Sequence, residues 1–467
     1  MSTAATSPRD AAHDPWRDRW RGRTLHFIGV GGAGMSGYAR VASRLGARVS
    51  GSDRADSPYL ERLRSEGLLE ARIGHAAENL PEGSEVEVIY SSAVPAENPE
   101  RVEARRRGLP ERPRSELLAE LSGLRRTVAV AGTHGKTTTS SMLVRALRGA
   151  GMDPGWLIGA EPGDGLPNAE WGAGEWLVVE ADESDRSLLA LRVEIAVLTN
   201  VELDHADAFG SLAELEEVFR SFLAGAPRAV LWDRPELLAL RQGPHEAYDV
   251  SDPVLQAGAT RFHWRGHEVQ LAVAGLHNAL DATAALEAAR LTGAEEEAAI
   301  AALAGFHGAG RRFQPLGRSS TGARIYDDYA HHPTEVRATL EAARLEVSGG
   351  GRLVAVFQPH LYSRTRMFAH QLGRALALAD LTVVLDVYPA REDAARFPDV
   401  SGLMVAAAAA VAGGGRPVYW LPTFAAAEAE LRTLLGAEDL CVVMGAGNVD
   451  TLARSLVADG AERGPGR

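Results

Sequence analysis

The sequence lacks several features that would identify common classes of protein. Among 467 residues there is one cysteine, Cys441, which excludes a disulfide framework and is typical of the reducing cytoplasm. The net charge is −13 and no block of basic residues occurs, which argues against nucleic acid or an anionic membrane as a partner. The longest apolar run, 403–412, is too short to span a bilayer. Because 45% of the residues are hydrophobic, the chain can form the cores of about three domains.

Lysine is almost absent as well, and its one occurrence marks a candidate phosphate-binding loop. Lys136 is the only lysine, and the sequence has arginine at every other lysine or arginine position. A compact ammonium fits beside phosphates where a planar guanidinium does not, which explains a lysine at this one position. Lys136 lies in VAGTHGKTTT, residues 130–139, between a predicted buried strand and a predicted helix. Such a turn binds phosphate with backbone N–H groups, its lysine reaches the outer phosphates, and the hydroxyl of Thr137 can bind Mg²⁺. Val130 replaces the first glycine of the strict P-loop pattern, which favours a family with its own shorter loop.

A second glycine-rich turn, GVGGAG at 29–34, follows a predicted strand at 24–28 and precedes a predicted helix from about Met35 to Leu45. The next predicted strand leads to Asp53, about 20 residues beyond the turn, as in dinucleotide-binding βαβ units. The plain interpretation is a nicotinamide dinucleotide site. The loop itself recognises only a diphosphate, so a different diphosphate ligand is the alternative.

Three predicted strand ends carry groups that can bind a metal ion. The strand at 175–180 ends on Glu180, and the strand at 195–200 is followed closely by His205. Because ligands collect at the carboxyl ends of parallel strands, we expect these two side chains to meet the 132–138 loop. Carboxylate, imidazole and hydroxyl groups can together hold Mg²⁺.

The rest of the chain alternates strands with helices, which indicates further α/β domains with largely parallel sheets. Pro110 and Pro113 mark the first domain boundary, and the glycine-rich segment 305–310 is a candidate hinge. Asn278 lies at the start of a predicted helix, where it is either a helix cap or a ligand contact. The predicted organisation is a flexible tail at 1–22, domains at 23–112, 113–306 and 307–457, and a second flexible tail at 458–467.

Eight motifs, taken in order, closely resemble those of the Mur ligases over roughly residues 24–455. The resemblance implies an α/β fold of three domains: an N-terminal Rossmann-like domain for a UDP moiety, a central P-loop-type ATP-binding domain with a mostly parallel sheet, and a C-terminal Rossmann-like domain that closes over the site. It thereby favours a UDP-sugar over NAD at the first loop. The motifs are GVGGAGMSG (29–37), AGTHGKTTT (131–139), EADESD (180–185), LTNVELDH (198–205), GLHN (275–278), GRRF (310–313), DDYAHHPTE (327–335) and FQPHLYSRT (357–365).

The motifs are most similar to those of the family members that join L-alanine to UDP-N-acetylmuramate in peptidoglycan precursor synthesis. The resemblance implies that ATP phosphorylates the substrate carboxylate to an acyl phosphate. The amine of L-alanine then attacks this intermediate, and ADP and phosphate are released. It further implies a cytoplasmic enzyme that is a monomer or a weak homodimer, with ATP and Mg²⁺ as cofactors and no nucleic acid or membrane partner.

The resemblance also implies site residues. Lys136, His360 and Arg364 are expected to be catalytic, with His360 a candidate base for the alanine amine. Asp281 and Leu361 depart from the family pattern, which has a second asparagine and often an arginine at these positions. The other expected residues are Gly132, Thr133, His134, Gly135, Lys136, Thr137, Thr138, Asn278, Arg312 and Asp328 for ATP; Gly31, Gly32, Ala33, Gly34, Met35, Ser36, Asp53, Ser91 and Ser92 for the UDP-sugar; and Thr137, Glu180 and His205 for the metal.

Four alternatives remain at this point. A recycling ligase would attach a whole tripeptide to the same UDP-sugar, although EADESD with Ser184 favours the enzyme that adds a single alanine. Folylpolyglutamate synthase shares the ATP machinery but lacks the first Rossmann-like domain. An NAD dehydrogenase explains residues 24–60 and nothing after 127. A non-catalytic UDP-sugar-binding regulator has no need to keep Lys136, Glu180 and His205 together.

Overall fold

The computed structural model describes residues 19–204 and 208–457. These residues form three α/β units, each built on one mostly parallel sheet, and a small antiparallel sheet beside the second unit. The predicted α/β fold with three domains is therefore confirmed. In the described ranges, no helix is both long enough and apolar enough to cross a membrane.

The first unit is built on a sheet of five strands. Its elements are β1 Thr24–Ile28, α1 Ala33–Arg44, β2 Arg48–Asp53, α2 Pro58–Ser65, β3 Glu70–Ile73, a 3₁₀ turn Ala77–Asn79, β4 Val86–Tyr90, α3 Pro99–Arg107, β5 Glu111–Pro113 and α4 Arg114–Ser122. All five strands are parallel, in the order β3-β2-β1-β4-β5. Because β1 pairs with both β2 and β4, the loops after these three strands lie side by side.

The second unit is built on a sheet of seven strands. Its elements are β6 Arg126–Ala131, α5 Lys136–Gly149, β7 Gly155–Leu157, β8 Ala169–Glu170, β9 Trp176–Glu180, a 3₁₀ turn Ser187–Ala190, β10 Ile195–Leu198, α6 Leu212–Ala224, β11 Arg228–Trp232, α7 Pro235–Leu238, β12 His245–Tyr248, α8 Leu276–Thr292 and α9 Glu296–Leu303. The order is β12-β11-β10-β6-β9-β7-β8, and only β8 runs antiparallel to its neighbour. The strand β6 lies between β10 and β9, as the metal-site prediction required.

A three-stranded antiparallel sheet packs beside this unit. It consists of β13 Ser251–Gln256, β14 Ala259–Trp264 and β15 His267–Leu271. The turn between β14 and β15 contains Arg265 and Gly266, both with positive φ, as two-residue hairpin turns require. Phe262 and Trp264 point into the same apolar core as α5 and α8, so the small sheet is part of the second unit's packing.

The third unit is built on a six-stranded sheet. Its elements are β16 Gln314–Arg318, β17 Arg324–Asp328, α10 Pro333–Glu346, β18 Leu353–Phe357, α11 Tyr362–Leu376, β19 Leu381–Val384, a 3₁₀ turn Ala394–Arg396, α12 Gly402–Ala412, β20 Val418–Trp420, α13 Phe424–Leu434, β21 Leu440–Met444 and α14 Asp450–Leu456. The order is β16-β17-β21-β18-β19-β20, with only β16 antiparallel. Cys441 lies in β21 and is fully buried, so the one cysteine is part of the core.

The first and second units share an apolar cluster. Leu117 and Leu121 of α4 belong to it together with Leu25 of β1 and Leu177 of β9. Helix α4 therefore lies between the two sheets and holds the loop after β1 close to the end of β9.

Candidate active site

The loop after β6 has the form of a phosphate-binding turn. Gly132 has φ +131°, and a Cβ there would lie 2.1 Å from Thr199 Oγ1, so only glycine fits. Gly135 precedes α5 with φ +81°, and no side chain caps this helix. The backbone of His134 is held by Asn200, whose Oδ1 accepts its N–H at 2.9 Å. The uncapped N–H groups and the helix dipole thus make an anion site at the carboxyl edge of the sheet.

Lys136 is folded against this loop. Its Nζ donates to the carbonyl of Gly132 at 2.6 Å and to Glu183 Oε2 at 2.9 Å. Burial lowers the pKa of Lys136, but the carboxylates around it, above all Glu183, outweigh burial and raise that pKa above its ordinary value. The ammonium is therefore charged and held in place. Glu183 was not predicted as a site residue, although it lies within the EADESD motif.

Thr137 and Glu180, two of the three predicted metal ligands, are in contact. The Oγ1 of Thr137 lies 3.0 Å from both carboxylate oxygens of Glu180 at the end of β9. The backbone N–H of Gly159 donates to Glu180 at 2.7 Å, and a Cβ on Gly159 would lie only 3.0 Å from that carboxylate. This hydroxyl and carboxylate are the oxygen ligands that Mg²⁺ prefers, so the donor set fits that ion. The third predicted ligand, His205, lies outside the described residues.

A cavity of about 240 Å³ opens between the second and third units, beside the loop. Its lining includes the apolar side chains of Trp232, Tyr248, Leu280 and Phe313 as well as Gly135 and Thr138 of the loop and the start of α5. An apolar surface and a phosphate-binding loop in one cavity are what a nucleotide requires. Six of the predicted ATP-binding residues line it: His134, Gly135, Thr138, Asn278, Arg312 and Asp328.

Asn278 is not the cap of its helix. The residue at the N-cap of α8 is Gly275, and the Asn278 amide donates to the carbonyl of Ala274 at 2.7 Å. Its side chain lies on the cavity wall, with its amide group held by this bond. Of the two interpretations left open by the sequence, the contact with the cavity is the one the structure supports.

Arg312 reaches from the third unit into the second. It lies between Arg311 and Phe313, two residues in the left-handed region at φ +56° and +48°. Arg312 Nη2 lies 3.4 Å from Thr137 Oγ1, so the guanidinium faces the phosphate loop. Arg311 instead bonds Asp327 at 3.0 Å within its own unit. The two neighbouring arginines therefore have separate roles, and only the second points into the cavity.

Two buried carboxyl groups lie on the same cavity wall. Asp328 accepts the backbone N–H groups of Phe313 at 2.6 Å and Ala330 at 2.7 Å, and burial raises the pKa of Asp328 to about 6. Asp281, the residue that departs from the family pattern, accepts a bond from Thr139 Oγ1 at 3.0 Å. Burial raises the pKa of Asp281 to about 7. A carboxyl group with a pKa close to 7 thus stands at the position where the family pattern has an asparagine.

His134 joins the loop to the third unit. Its Nδ1 lies 3.2 Å from Glu335 Oε1 on α10, and its Nε2 lies 3.4 Å from Glu202 Oε2 after β10. Burial lowers the pKa of His134, but the two carboxylates outweigh it and raise that pKa to about 9. Neither glutamate was predicted as a site residue, because 201 residues separate His134 from Glu335.

The predicted catalytic pair His360 and Arg364 lies at the boundary of the same two units. Arg364 Nε donates to Asp204 Oδ1 at 2.8 Å, and both side chains are 5% exposed. Arg364 Nη1 contacts His360 Nδ1 at 2.8 Å. Burial, together with the charges of His331 and Arg364, lowers the pKa of His360 to about 3. A ring with so low a pKa and an occupied Nδ1 is a weak base, so this geometry favours a positioning role for His360.

Leu361, the second departure from the family pattern, is buried at 2% exposure with φ +66°. It is the N-cap of α11, the helix that carries Arg364. Leu361 therefore contributes packing at the start of this helix and no cation, as the sequence indicated.

The glycine-rich loop of the first unit is held by a neighbouring carboxylate. The N–H of Gly31 donates to Asp53 Oδ2 at 2.8 Å, and Ser57 Oγ donates to the Gly31 carbonyl at 2.8 Å. Asp53 thus holds the loop, whereas in a dinucleotide site this carboxylate binds a ribose. Met35 and Ser36 are buried at 3% and 1% exposure, so their side chains are not accessible to a ligand in this arrangement.

The remaining predicted UDP-sugar residues lie around this loop. Gly32 caps α1 without a side-chain bond, and Ala33 and Gly34 are the first residues of that helix. Ser91 and Ser92 follow β4, and a Cβ on Gly29 would lie 3.3 Å from the Cβ of Ser91. The structure therefore brings the three segments together at one edge of the first sheet.

A second cavity, of about 190 Å³, lies between the first and second units. Arg114 lines it, and its Nη1 would lie 3.3 Å from a Cβ on Gly34. Arg114 donates to Asp185 Oδ2 at 2.6 Å, which fixes the guanidinium beside the start of α1. Sequence analysis missed Arg114, since nothing near Pro113 has a recognisable motif. Glu180 also lines this cavity, so the carboxylate that contacts Thr137 faces the space between the units.

Comparison with known proteins decides the family. The family description "Mur ligase family, catalytic domain" matches residues 24–126, "Mur ligase middle domain" matches 130–289, and "Mur ligase, glutamate ligase domain" matches 311–447. The chain belongs to the Mur ligase family.

Individual relatives of this Mur ligase are also informative. A UDP-N-acetylmuramate–L-alanine ligase from Mycolicibacterium smegmatis is 44% identical over 464 residues, covering 93% of this chain and 94% of that protein. One from Nocardia farcinica is 42% identical and covers 95% of this chain and 96% of that protein. The crystal structure of a UDP-N-acetylmuramate-alanine ligase from Thermotoga maritima superimposes with a TM-score of 0.79 at 26% identity, covering 93% of this chain and 98% of that one.

Proposed function

We propose that this Mur ligase joins L-alanine to the carboxylate of UDP-N-acetylmuramate at the expense of ATP, as a step of peptidoglycan precursor synthesis. The observation that supports this most strongly is the placement of the two cavities. Glu180 lines the cavity between the first and second units and contacts Thr137, while Gly135 and Thr138 line the cavity between the second and third units. A carboxylate substrate and a triphosphate can therefore meet at the Lys136 loop.

In this proposal the UDP-sugar lies along the first unit. Its diphosphate binds the loop 31–34 and the uncapped start of α1, with Asp53 holding the loop and Ser91 and Ser92 beside it. Arg114 supplies the positive charge next to that helix start. The muramoyl carboxylate then enters the cavity that leads to Glu180.

The nucleotide occupies the larger cavity. Residues 132–138 surround its phosphates, and Lys136 and Arg312 place positive charge on either side of the γ-phosphate. Asn278 and Asp328 contact the nucleoside from the two facing units. When Mg²⁺ is bound, Thr137 and Glu180, with His205, would hold it, and it neutralises phosphate charge.

The reaction proceeds in two steps. A carboxylate oxygen of the substrate attacks the γ-phosphorus, and the bond to the β,γ-bridging oxygen breaks, so an acyl phosphate and ADP form. The neutral amine of L-alanine then attacks the acyl carbon, phosphate leaves, and the nitrogen loses a proton. Lys136 and Arg312 stabilise the phosphoryl charge, and Arg364, positioned by Asp204 and His360, orients the carboxylate end of the substrates.

Exclusion of water is needed because an acyl phosphate hydrolyses readily. The third unit supplies Arg312 and Glu335 to the loop of the second unit, and these contacts cover the site. We propose domain limits of 23–112, 113–306 and 307–457, which count α4, the helix packed against both of the first two units, with the second domain; the third domain closes over the nucleotide. We further propose that the enzyme acts in the cytoplasm as a monomer or a weak homodimer.

The test is release of ADP with UDP-N-acetylmuramate and a panel of L-alanine, glycine, L-serine, D-glutamate and a tripeptide. We expect L-alanine to give the highest rate, with glycine and L-serine closest to it, because one small group changes binding by only about 1–3 kcal/mol. A higher rate with D-glutamate or the tripeptide would overturn the assignment. In a thermal unfolding assay, UDP-N-acetylmuramate but not NADH should raise the midpoint.

A further inference from the structure

A group of potential metal ligands lies at the boundary of the second and third units, apart from Thr137 and Glu180. Its members are His134, Glu202 and His332, and their ligand atoms all lie within 4.8 Å of one another. His134 belongs to the loop after β6 and Glu202 follows β10, whereas His332 is the N-cap of α10. Both units therefore contribute to one small polar cluster.

Two of the three spacings between these ligand atoms are close to those of a tetrahedral site. Glu202 Oε2 lies 3.4 Å from His134 Nε2 and 3.6 Å from His332 Nδ1. Ligands bound to Zn²⁺ at their usual bond lengths are about 3.3 Å apart, so small adjustments suffice. His134 is 9% exposed, and its Nε2 is buried without a hydrogen-bond partner. This nitrogen faces the Glu202 carboxylate in an ion pair, so a bound Zn²⁺ takes the place of the Nε2 proton while Nδ1–H stays on Glu335.

Neighbouring groups already orient these ligands. His134 Nδ1 contacts Glu335 Oε1 at 3.2 Å, which holds the ring with Nε2 directed to Glu202. The Oε2 of Glu202 accepts a bond from Thr334 Oγ1 at 2.5 Å. A carboxylate behind a ligating histidine is the usual outer arrangement at zinc sites, where it fixes the orientation of the ring.

We propose that His134, Glu202 and His332 form a binding site for a divalent transition-metal ion, for which Zn²⁺ is the probe. Two imidazoles with one carboxylate suit Zn²⁺, whereas Mg²⁺ prefers oxygen ligands, so the site is chemically distinct from the Thr137 and Glu180 pair. Three protein ligands leave a fourth position for water. Because His332 belongs to the third unit, the bound ion ties that unit to the phosphate loop and stabilises the arrangement described here.

The experiment uses the full chain, treated with chelator and then supplied with excess Mg²⁺ so that oxygen-ligand sites are filled. Calorimetric titration with Zn²⁺ should show one ion per chain, and Co²⁺ should give the intense visible absorption of a four-coordinate site. His332→Asn should weaken Zn²⁺ by at least about 10-fold, since even supporting residues change metal affinity by that factor. His370→Asn is the matched control, because His370 is exposed on α11 of the same unit, and it should bind Zn²⁺ as the wild type does.

Two results would overturn the proposal: no Zn²⁺ binding by the wild type in excess Mg²⁺, or equal Zn²⁺ affinity in the wild type and His332→Asn. If His332→Asn does not fold, Glu202→Gln keeps an oxygen for Thr334 and removes the ligand charge, and it should lose the Zn²⁺-dependent rise in unfolding temperature. The ligase assignment is tested separately by ADP release in Mg²⁺ without zinc. Failure of one experiment is thus distinguishable from failure of the other.

Discussion

Replacement of Asp281 by asparagine should stabilise the protein at alkaline pH. Asp281 lies in α8 under the phosphate loop, 7% exposed, and a Cβ on Gly135 would lie 2.4 Å from its Oδ1. Burial raises the pKa of this carboxyl to about 7. The asparagine amide keeps an oxygen for the bond from Thr139 and removes the titrating proton.

The sign and size of the effect follow from proton linkage. An unfolded aspartate has a pKa of about 3.9, so between about pH 4 and pH 7 the folded chain retains a proton that the unfolded chain has lost. The free energy of unfolding therefore falls by about 1.4 kcal/mol per pH unit across this window. The stabilisation that comes from the proton retained on Asp281 is fully present below about pH 4. Up to about 4 kcal/mol of it is lost once the pH exceeds the folded-state pKa of Asp281, about 7.

Urea unfolding of the wild type and Asp281→Asn at pH 5 and pH 8 tests this. The variant's advantage should grow by about 2–3 kcal/mol between the two pH values, because only the wild type must ionise a buried carboxyl. Asp252→Asn is the matched control, since it makes the same change at an exposed position. An equal difference between Asp281→Asn and the wild type at both pH values would refute the reasoning.

Three further predictions concern the ligase site. Lys136→Arg should lower ADP release by about 10²–10³-fold, because the loop has space for an ammonium only, while UDP-sugar affinity measured by calorimetry is unchanged. Arg148→Lys, exposed on the same helix, is the control. Turnover of Lys136→Arg within a few-fold of wild type would contradict the argument. Arg312→Ala should weaken ATP under turnover conditions but not UDP-sugar, whereas Arg318→Ala should change neither; equal ATP affinity would exclude the role of Arg312. Glu180→Gln should raise the Mg²⁺ requirement and lose the chemical step, and weakened UDP-sugar binding without ATP would argue against the proposed domain assignment.

Much of the fold could be predicted from local pattern. The buried strands at 24–28, 176–180 and 195–198 are short apolar runs, and the bounds of each were predicted within two residues because burial on both faces of a parallel sheet demands such runs. Helix starts were predicted less well. Helix α5 begins at Lys136, inside the segment 130–139 that was predicted to precede it, and α1 begins at Ala33 rather than Met35, because glycine and threonine at a helix start are typical of loops as well.

The residues of the candidate site likewise divide into those that lie in a local feature of the sequence and those that only the structure reveals. Lys136, Thr137 and Glu180 were predicted because a loop and a strand end are local features of the sequence. Glu183 belongs to a recognised motif, yet only the structure shows that its carboxylate contacts Lys136 at 2.9 Å. Arg114 has no motif, and it lies beside the first loop only because α4 packs between two sheets.

The sequence by itself determined the chemistry: one lysine in a phosphate loop, oxygen ligands at strand ends, and motifs ordered as in the Mur ligases. These properties depend on residues that are neighbours in the chain. Tertiary structure alone decided how the units face one another, and thus that His134 contacts Glu335 and that Arg312 reaches Thr137. Contacts between side chains 175 or 201 residues apart have no local pattern, because they arise from the packing of whole sheets and helices.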